Sequence, residues 1–139
     1  MYVADAEEKL GVFGEMLQKI EVLKRAINSR FLYKQLHIDK ERGYVFVTPS
    51  GKELRPADLS SGEQHEIVLN HELLFMARPN SLILVDEPEL SFHVAWQETF
   101  LRDLQEIAKL ARLDVIVATH SPQIIYDRWD LTVQLRGPN

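Results

Sequence analysis

The amino-acid sequence predicts an α/β protein: a parallel sheet with flanking helices, preceded by a long N-terminal helix and a β-hairpin. Two continuous aliphatic runs, Leu82-Ile83-Leu84-Val85 and Val115-Ile116-Val117-Ala118, predict the sheet. Runs without polar alternation mark strands covered on both faces, and the amphipathic stretch between these two reads as a helical crossover joining parallel neighbours. The long helix is predicted by the spacing of Leu10, Phe13, Leu17, Ile20, Ile27 and Phe31, with Lys24 interrupting the stripe. That helix covers residues 4–31. Its heptad-like pattern suits a short coiled coil or a helix lying on a domain surface.

The remaining elements follow in order. Leu36 and Ile38 alternate with polar residues, Lys40-Glu41-Arg42-Gly43 reads as a turn, and Tyr44 to Thr48 is rich in strand formers, which together predict a hairpin. Pro49-Ser50-Gly51 closes it. A helix is expected over residues 61–76, with Ile67, Val68, Leu69, Leu73, Leu74 and Phe75 apolar, and Pro79-Asn80 ends it. A second is expected over 94–113, with Trp96, Phe100, Leu104, Ala108 and Ala111 on one side. Ser121-Pro122 reads as a helix start with serine as cap and proline in the first turn. Leu131 to Leu135 reads as a final strand. These elements divide the chain into residues 1–53, helix and hairpin, and residues 54–139, the α/β segment.

Composition narrows the function classes. The 139 residues suffice for one domain with a modest core. A formal charge of −5 argues against a broad basic face for nucleic acid. Lys19, Lys24, Arg25 and Arg30 interleave with Glu15 and Glu21, as on a solvated helix face. The absence of cysteine excludes disulfides and thiolate metal sites and makes the cytoplasm the expected compartment. No apolar run approaches the roughly 20 residues of a membrane helix, so no membrane partner is expected. The acidic start, Met1 to Glu8, lacks the apolar segment of a secretory signal.

Four segments carry candidate chemistry. Leu59-Ser60-Ser61-Gly62-Glu63-Gln64 is a helix start: Ser60 with Glu63, and Ser61 with Gln64, fit capping-box spacing, and Gly62 permits close approach to the backbone. It reads either as an ordinary cap or as a helix tip whose amides and dipole meet an anion. Asp86 and Glu87 end an aliphatic strand, where open α/β sheets place ligands. Asp86 there suits Mg²⁺, which takes hard oxygen ligands, and Glu87 suits polarising a water. Glu89-Leu90-Ser91-Phe92-His93 follows Pro88. Finally, His120 ends the second aliphatic strand and would lie beside Glu87 if the two strands are neighbours.

In this order the segments closely resemble the ABC-class ATPases, in which a signature loop, a Walker B strand ending in Asp-Glu, a D-loop and a switch histidine succeed one another. The resemblance covers roughly residues 54–135. The readings Ser-Ser-Gly-Glu-Gln and Glu-Pro-Glu-Leu-Ser-Phe-His are similar to the AAA-labelled ABC-class ATPases of bacterial defence systems and of overcoming-lysogenization-defect proteins, and more distantly to SMC-type repair ATPases. The resemblance implies a partial P-loop NTPase fold, the C-terminal half of such a domain, with ATP and Mg²⁺ as cofactors. It implies that Ser60, Ser61, Gly62 and Glu63 form the nucleotide-facing loop, with Ser60 and the Gly62 backbone touching the γ-phosphate held by an opposite subunit. Asp86 would serve Mg²⁺, Glu87 would be the general base, Ser91 would sit in the D-loop at the dimer seam, and His120 would contact the γ-phosphate in cis. Transporter subunits usually end the D-loop in aspartate; His93 stands near that place here.

No Gly-x-x-x-x-Gly-Lys-Ser/Thr cradle occurs, since Gly51-Lys52 is followed by Glu53 and lacks the required upstream glycine. The chain alone is therefore expected to bind ATP weakly and hydrolyse it negligibly. The missing cradle strand would leave the edge of Val115 to Ala118 open, a hazard that something must cover. The candidates are an N-terminal ATPase half, self-association, or direct pairing of Leu131–Leu135 with Val115–Ala118. That pairing is the favoured expectation, together with a homo-oligomer. The implied function is ATP-driven regulation of a partner, a nuclease or DNA-associated protein, in bacterial defence or DNA repair. The alternative is a non-catalytic fragment acting as an oligomerisation or docking module. A nuclease in its own right is disfavoured: no acidic metal-binding domain is expected after the last strand, and His65 and His71 face different sides of their helix.

Overall fold

Helix α1 (Tyr2–Arg30) uses its apolar stripe in two different ways. The computed structural model describes residues 2–137, and within it residues 2–18 of α1 are exposed throughout, including Leu10, Phe13 and Leu17. From Val22 onward the same helix enters the core through Val22, Leu23, Ala26 and Ile27, followed by Phe31. α1 thus begins as an exposed arm, touched by the Arg112 guanidinium at Glu15 (3.3 Å), and ends as a packed helix.

The hairpin forms as expected. β1 (Gln35–Asp39) pairs antiparallel with β2 (Gly43–Val47), with Leu36 opposite Phe46 and both buried. Asp39 Oδ1 accepts the amides of Glu41 and Arg42 at 2.9 and 2.8 Å, and Gly43 supplies the positive φ of 74° that closes the turn. The chain then does not leave the sheet. A two-residue strand, β3 (Glu53–Leu54), pairs with β2 and makes a three-stranded meander.

Helix α2 (Ser61–His71) continues as one π turn over Glu72–Met76, which carries Leu73 and Leu74 into the core. Next come β4 (Leu82–Asp86), α3 (Val94–Ala111) and β5 (Asp114–Ala118). β4 and β5 pair in parallel, with Leu84 opposite Ile116 and Asp86 opposite Ala118. The expected strand, crossover helix and parallel strand are therefore present.

Three expectations are corrected. The aliphatic strands are covered on one face only. Ile83, Val85, Val115 and Val117 pack against the core, while Leu82, Leu84 and Ile116 are 58, 72 and 57% exposed. Among the described residues no element lies over that outer face. Leu131–Leu135 is not a strand: Trp129–Leu131 is a 3₁₀ turn, and residues 132–137 have no regular structure. Its pairing with Val115–Ala118 therefore does not occur, and the second edge of β5 stays unpaired among the described residues: alternation gives a segment two faces but does not bring its backbone to an edge. The helix after Ser121 is a single turn, α4 (Pro122–Ile125), and Ser121 does not cap it through its side chain. Its hydroxyl donates instead to Oε1 of buried Gln97 at 2.6 Å.

One apolar cluster joins α1, the hairpin, α2 and α3. It includes Leu23, Ile27, Phe31, Leu36, Phe46, Leu74, Phe100, Leu104 and Ile107. Phe31 stacks between Phe46 and Trp96, with centroids 5.7 Å from each. α1 and α3 run antiparallel, joined by ion pairs of Arg25 with Glu106 and of Arg30 with Asp103. Buried Arg30 also pairs with Glu66 of α2, so one guanidinium holds three helices together. Burial draws the Arg30 proton affinity down and Asp103 opposes it. Removing one partner of such a pair costs about 3–5 kcal/mol, because the other charge stays buried.

Candidate functional site

The parallel pairing of β4 and β5 puts the two strand ends side by side, and the ladder extends one step further. The Glu87 amide donates to the Ala118 carbonyl at 2.8 Å. Glu87 and His120 consequently leave the sheet at the same end, and His120 Nε2 lies 3.1 Å from Glu87 Oε1. Glu87 has a left-handed backbone, φ 45° and ψ 54°, from which the chain turns into the 3₁₀ turn Pro88–Leu90. Asp86 stands exposed on the outer side of the sheet edge. The His120 side chain is 92% exposed, whereas that of Glu87 is 27% exposed.

A residue to which the sequence reading gave no role joins this cluster. Glu89 Oε1 accepts the His120 amide at 2.9 Å, and Glu89 Oε2 is sealed from solvent with no donor among the described residues. Desolvation, then the neighbouring Glu89 carboxyl, raises the proton affinity of Glu87 above that of an ordinary glutamate, and His120 acts against the rise. Burial acts on Glu89 in the same sense, but the Thr119 hydroxyl and the His120 amide outweigh it and hold Glu89 ionised to lower pH. The only sequence signal for Glu89 was its place two residues after Glu87.

The start of α2 is a true capping box. Ser60 Oγ accepts the Glu63 amide at 3.3 Å, and Glu63 Oε2 accepts the Ser60 amide at 3.0 Å. The second box expected of Ser61 and Gln64 is absent. Gln64 reaches back instead, and its side-chain amide donates to the carbonyls of Ala57 and Leu59 at 3.3 and 2.9 Å. Ser61 is exposed, and the amides of Ser61 and Gly62 have no acceptor among the described residues. Lys34, also missed in sequence, donates to Glu63 Oε1 at 2.7 Å and so braces the box from the end of α1.

Ser91 meets this tip from behind. A Cβ placed on Gly62 would lie 2.9 Å from the Ser91 carbonyl oxygen, so glycine here admits the loop that follows Glu87. His93 is the N-cap of α3, its Nδ1 accepting the Ala95 amide at 3.3 Å. The structure thus unites Glu87, Glu89 and His120 in one cluster, with Asp86 at its side. It unites Ser60, Gly62, Glu63 and Ser91 in another, and the short segment 87–91 links the two.

Comparisons with known proteins agree with this architecture. Residues 3–125 match the family described as "AAA domain, putative AbiEii toxin, Type IV TA system". The chain is 27% identical to the Retron Ec83 probable ATPase of Escherichia coli over 77% of its own length and 25% of that protein's. It is 25% identical to the Retron Vc95 probable ATPase of Vibrio cholerae serotype O1 biovar El Tor, over 87% of its length and 29% of that protein's. It therefore spans only a quarter to three tenths of these curated relatives. The SMC head domain from Thermotoga maritima superposes with a TM-score of 0.53 over 76% of this chain and 38% of that one, at 23% identity. That likeness shows the fold alone: part of a P-loop NTPase-like head.

Proposed function

The chain belongs to this AAA-domain ATPase family, and from that premise we propose that it supplies the signature-loop and hydrolysis side of a shared ATP site. The observation that carries the reading is the 3.1 Å contact between Glu87 and His120 at the shared end of β4 and β5. Glu87, with its raised proton affinity, is the general base that takes a proton from the attacking water. His120, almost wholly exposed, faces the terminal phosphate. Ser60, Ser61, Gly62 and Glu63 form the loop toward the nucleotide of an opposing subunit: Glu63 and Ser60 lock the tip, and the free amides of Ser61 and Gly62 meet its anionic oxygens. Ser91 lies at the seam.

Asp86 is the residue for Mg²⁺. No group of three or more acidic, histidine or cysteine side chains able to hold a metal unaided occurs among the described residues. Mg²⁺ commonly binds through one or two carboxylates plus phosphates and water, so a single exposed carboxylate at a strand end fits it. Bound there, the ion would neutralise phosphate charge.

The cradle, in this reading, comes from residues outside this sequence, in an N-terminal ATPase half, and the site closes in a homo-oligomer. The bare outer face at Leu82, Leu84 and Ile116 supports this, since an apolar sheet face calls for a cover. Residues 54–139 would form the ATPase half, with residues 1–53 as its helix and hairpin. No helix among the described residues is long and apolar enough to cross a membrane, and we take the setting to be cytoplasmic. The family's toxin-system description supports an output in bacterial defence; DNA repair as the alternative setting, and a nuclease or DNA-associated partner, rest on the motif resemblance alone.

Nucleotide titration with and without Mg²⁺, followed by turnover assays, tests the proposal. The chain alone should bind ATP weakly and show negligible turnover; addition of a cradle-bearing polypeptide should restore turnover, and Glu87→Gln should abolish it. Turnover by the chain alone, lost in Glu87→Gln, would refute the divided site. A second reading, a non-catalytic docking module, is favoured by the exposed arm of α1 and the bare sheet face. It requires that Asp86→Asn and Glu87→Gln leave the protein's effect in cells unchanged.

A further inference from the structure

The proposed chemistry leaves one carboxylate of the cluster unused. Glu89 sits in the turn after the base, yet it binds the loop of the other strand, accepting the His120 amide at 2.9 Å. Its second oxygen is buried without a donor. An unpaired buried acceptor is destabilising, so the side chain is held in this place by what its bonded oxygen secures. The histidine whose loop it holds is the one that meets the base, His120 Nε2 lying 3.1 Å from Glu87 Oε1, so a single side chain bears on both members of that pair.

We propose that Glu89 is a positioning residue that holds the His120 loop, and through the His120–Glu87 contact the Glu87 side chain, in one fixed geometry, so that both face the same point beyond the sheet. The proposal rests on the ATPase reading only for what occupies that point. Glu89 acts through its neighbours and needs no contact with nucleotide. Its reach is set by chain length: the carboxylate must span from the 3₁₀ turn to the backbone of residue 120. A shorter acid should fail where an amide of equal length succeeds as acceptor for the His120 N–H.

The experiment compares the ¹⁵N-labelled 139-residue chain with its Glu89→Gln, Glu89→Asp and Glu89→Ala variants by NMR. Glu89→Gln should keep the slow exchange of the His120 amide, because its carbonyl oxygen still accepts. Glu89→Asp and Glu89→Ala should speed that exchange by about tenfold or more, the scale of a lost local hydrogen bond, and should alter the His120 ring nitrogen shifts. Core signals from Ile107 and Leu36 should not move, which separates loss of position from loss of fold. Wild-type exchange and ring shifts in Glu89→Asp, or loss of protection in Glu89→Gln, would overturn the proposal, whether or not Glu89→Ala folds. These signals need no nucleotide, so they decide the matter even if the ATPase reading fails its own turnover test. In an enzyme complemented with the cradle, Glu89→Asp should lower kcat and leave the KM for ATP unchanged; the reverse pattern would also count against it.

Discussion

Glu63 shows how much a single side chain can carry at this site. It caps α2, accepts from Lys34 and is itself almost wholly buried. Burial alone would raise its proton affinity, but the Lys34 ammonium and the Ser60 amide reverse the sign and hold it ionised below the usual glutamate range. The unfolded chain therefore binds this proton more readily than the folded one. Its contribution to stability is complete above the unfolded value of about 4.3 and is lost as pH falls through the lower folded value. Denaturant midpoints of wild type and Glu63→Gln should therefore differ at neutral pH and converge on acidification below about pH 4; a gap that persists in acid would contradict this account. At this scale much was legible. Ser60 with Glu63 was readable because a capping box is local in sequence. Glu87 with His120 was readable because strand ends carry their residues with them. Lys34 and Glu89 were not, because their partners at positions 63 and 120 are set by tertiary packing.

Among elements, α1 separates what a pattern tells from what it does not. The stripe from Leu10 to Phe31 announced one helix, but it could not say that only the part from Val22 onward is covered. Burial is a property of the neighbour, and α3 ends at Ala111, so the first half of α1 extends past it. Deleting residues 1–18 should leave the denaturation midpoint within about 0.5 kcal/mol of the parent, since exposed positions contribute little. A large loss would mean that the arm supports the core. β3 was missed for a different reason: two residues are too few to show alternation, and β2 recruits them. Leu131 to Leu135 erred in the opposite sense, having the alternation yet lying away from the open edge of β5, which pairs only with β4 among the described residues.

At the scale of the whole molecule, α/β class, chain order and the common end of the two strands were all readable, because helix and strand periods are written locally. The one-sided burial of the sheet was not, because aliphatic runs are identical whether their second face is covered within the chain or by another. Leu82, Leu84 and Ile116 form one row across β4 and β5 and are open to solvent. Sedimentation velocity should therefore find concentration-dependent self-association of the isolated chain, weakened in Leu84→Lys. A wild-type monomer at all concentrations would remove the oligomer from the proposed function.

The reach of α1 bears on the tip of α2. Its 29 residues span about 43 Å at 1.5 Å per residue; its packed half, from Val22 onward, is tied to α3 by Arg25 and Arg30 and to the α2 segment by Arg30 on Glu66 and, just beyond the helix, Lys34 on Glu63, while the exposed half carries the surface pair of Glu15 with Arg112. A tilt of about 5° about the packed segment at Val22 would swing the outer end by about 2.6 Å over the roughly 30 Å back to Tyr2. The arrangement is geared: coarse travel at the arm's free end becomes fine adjustment where Ser60 and Gly62 present their amides.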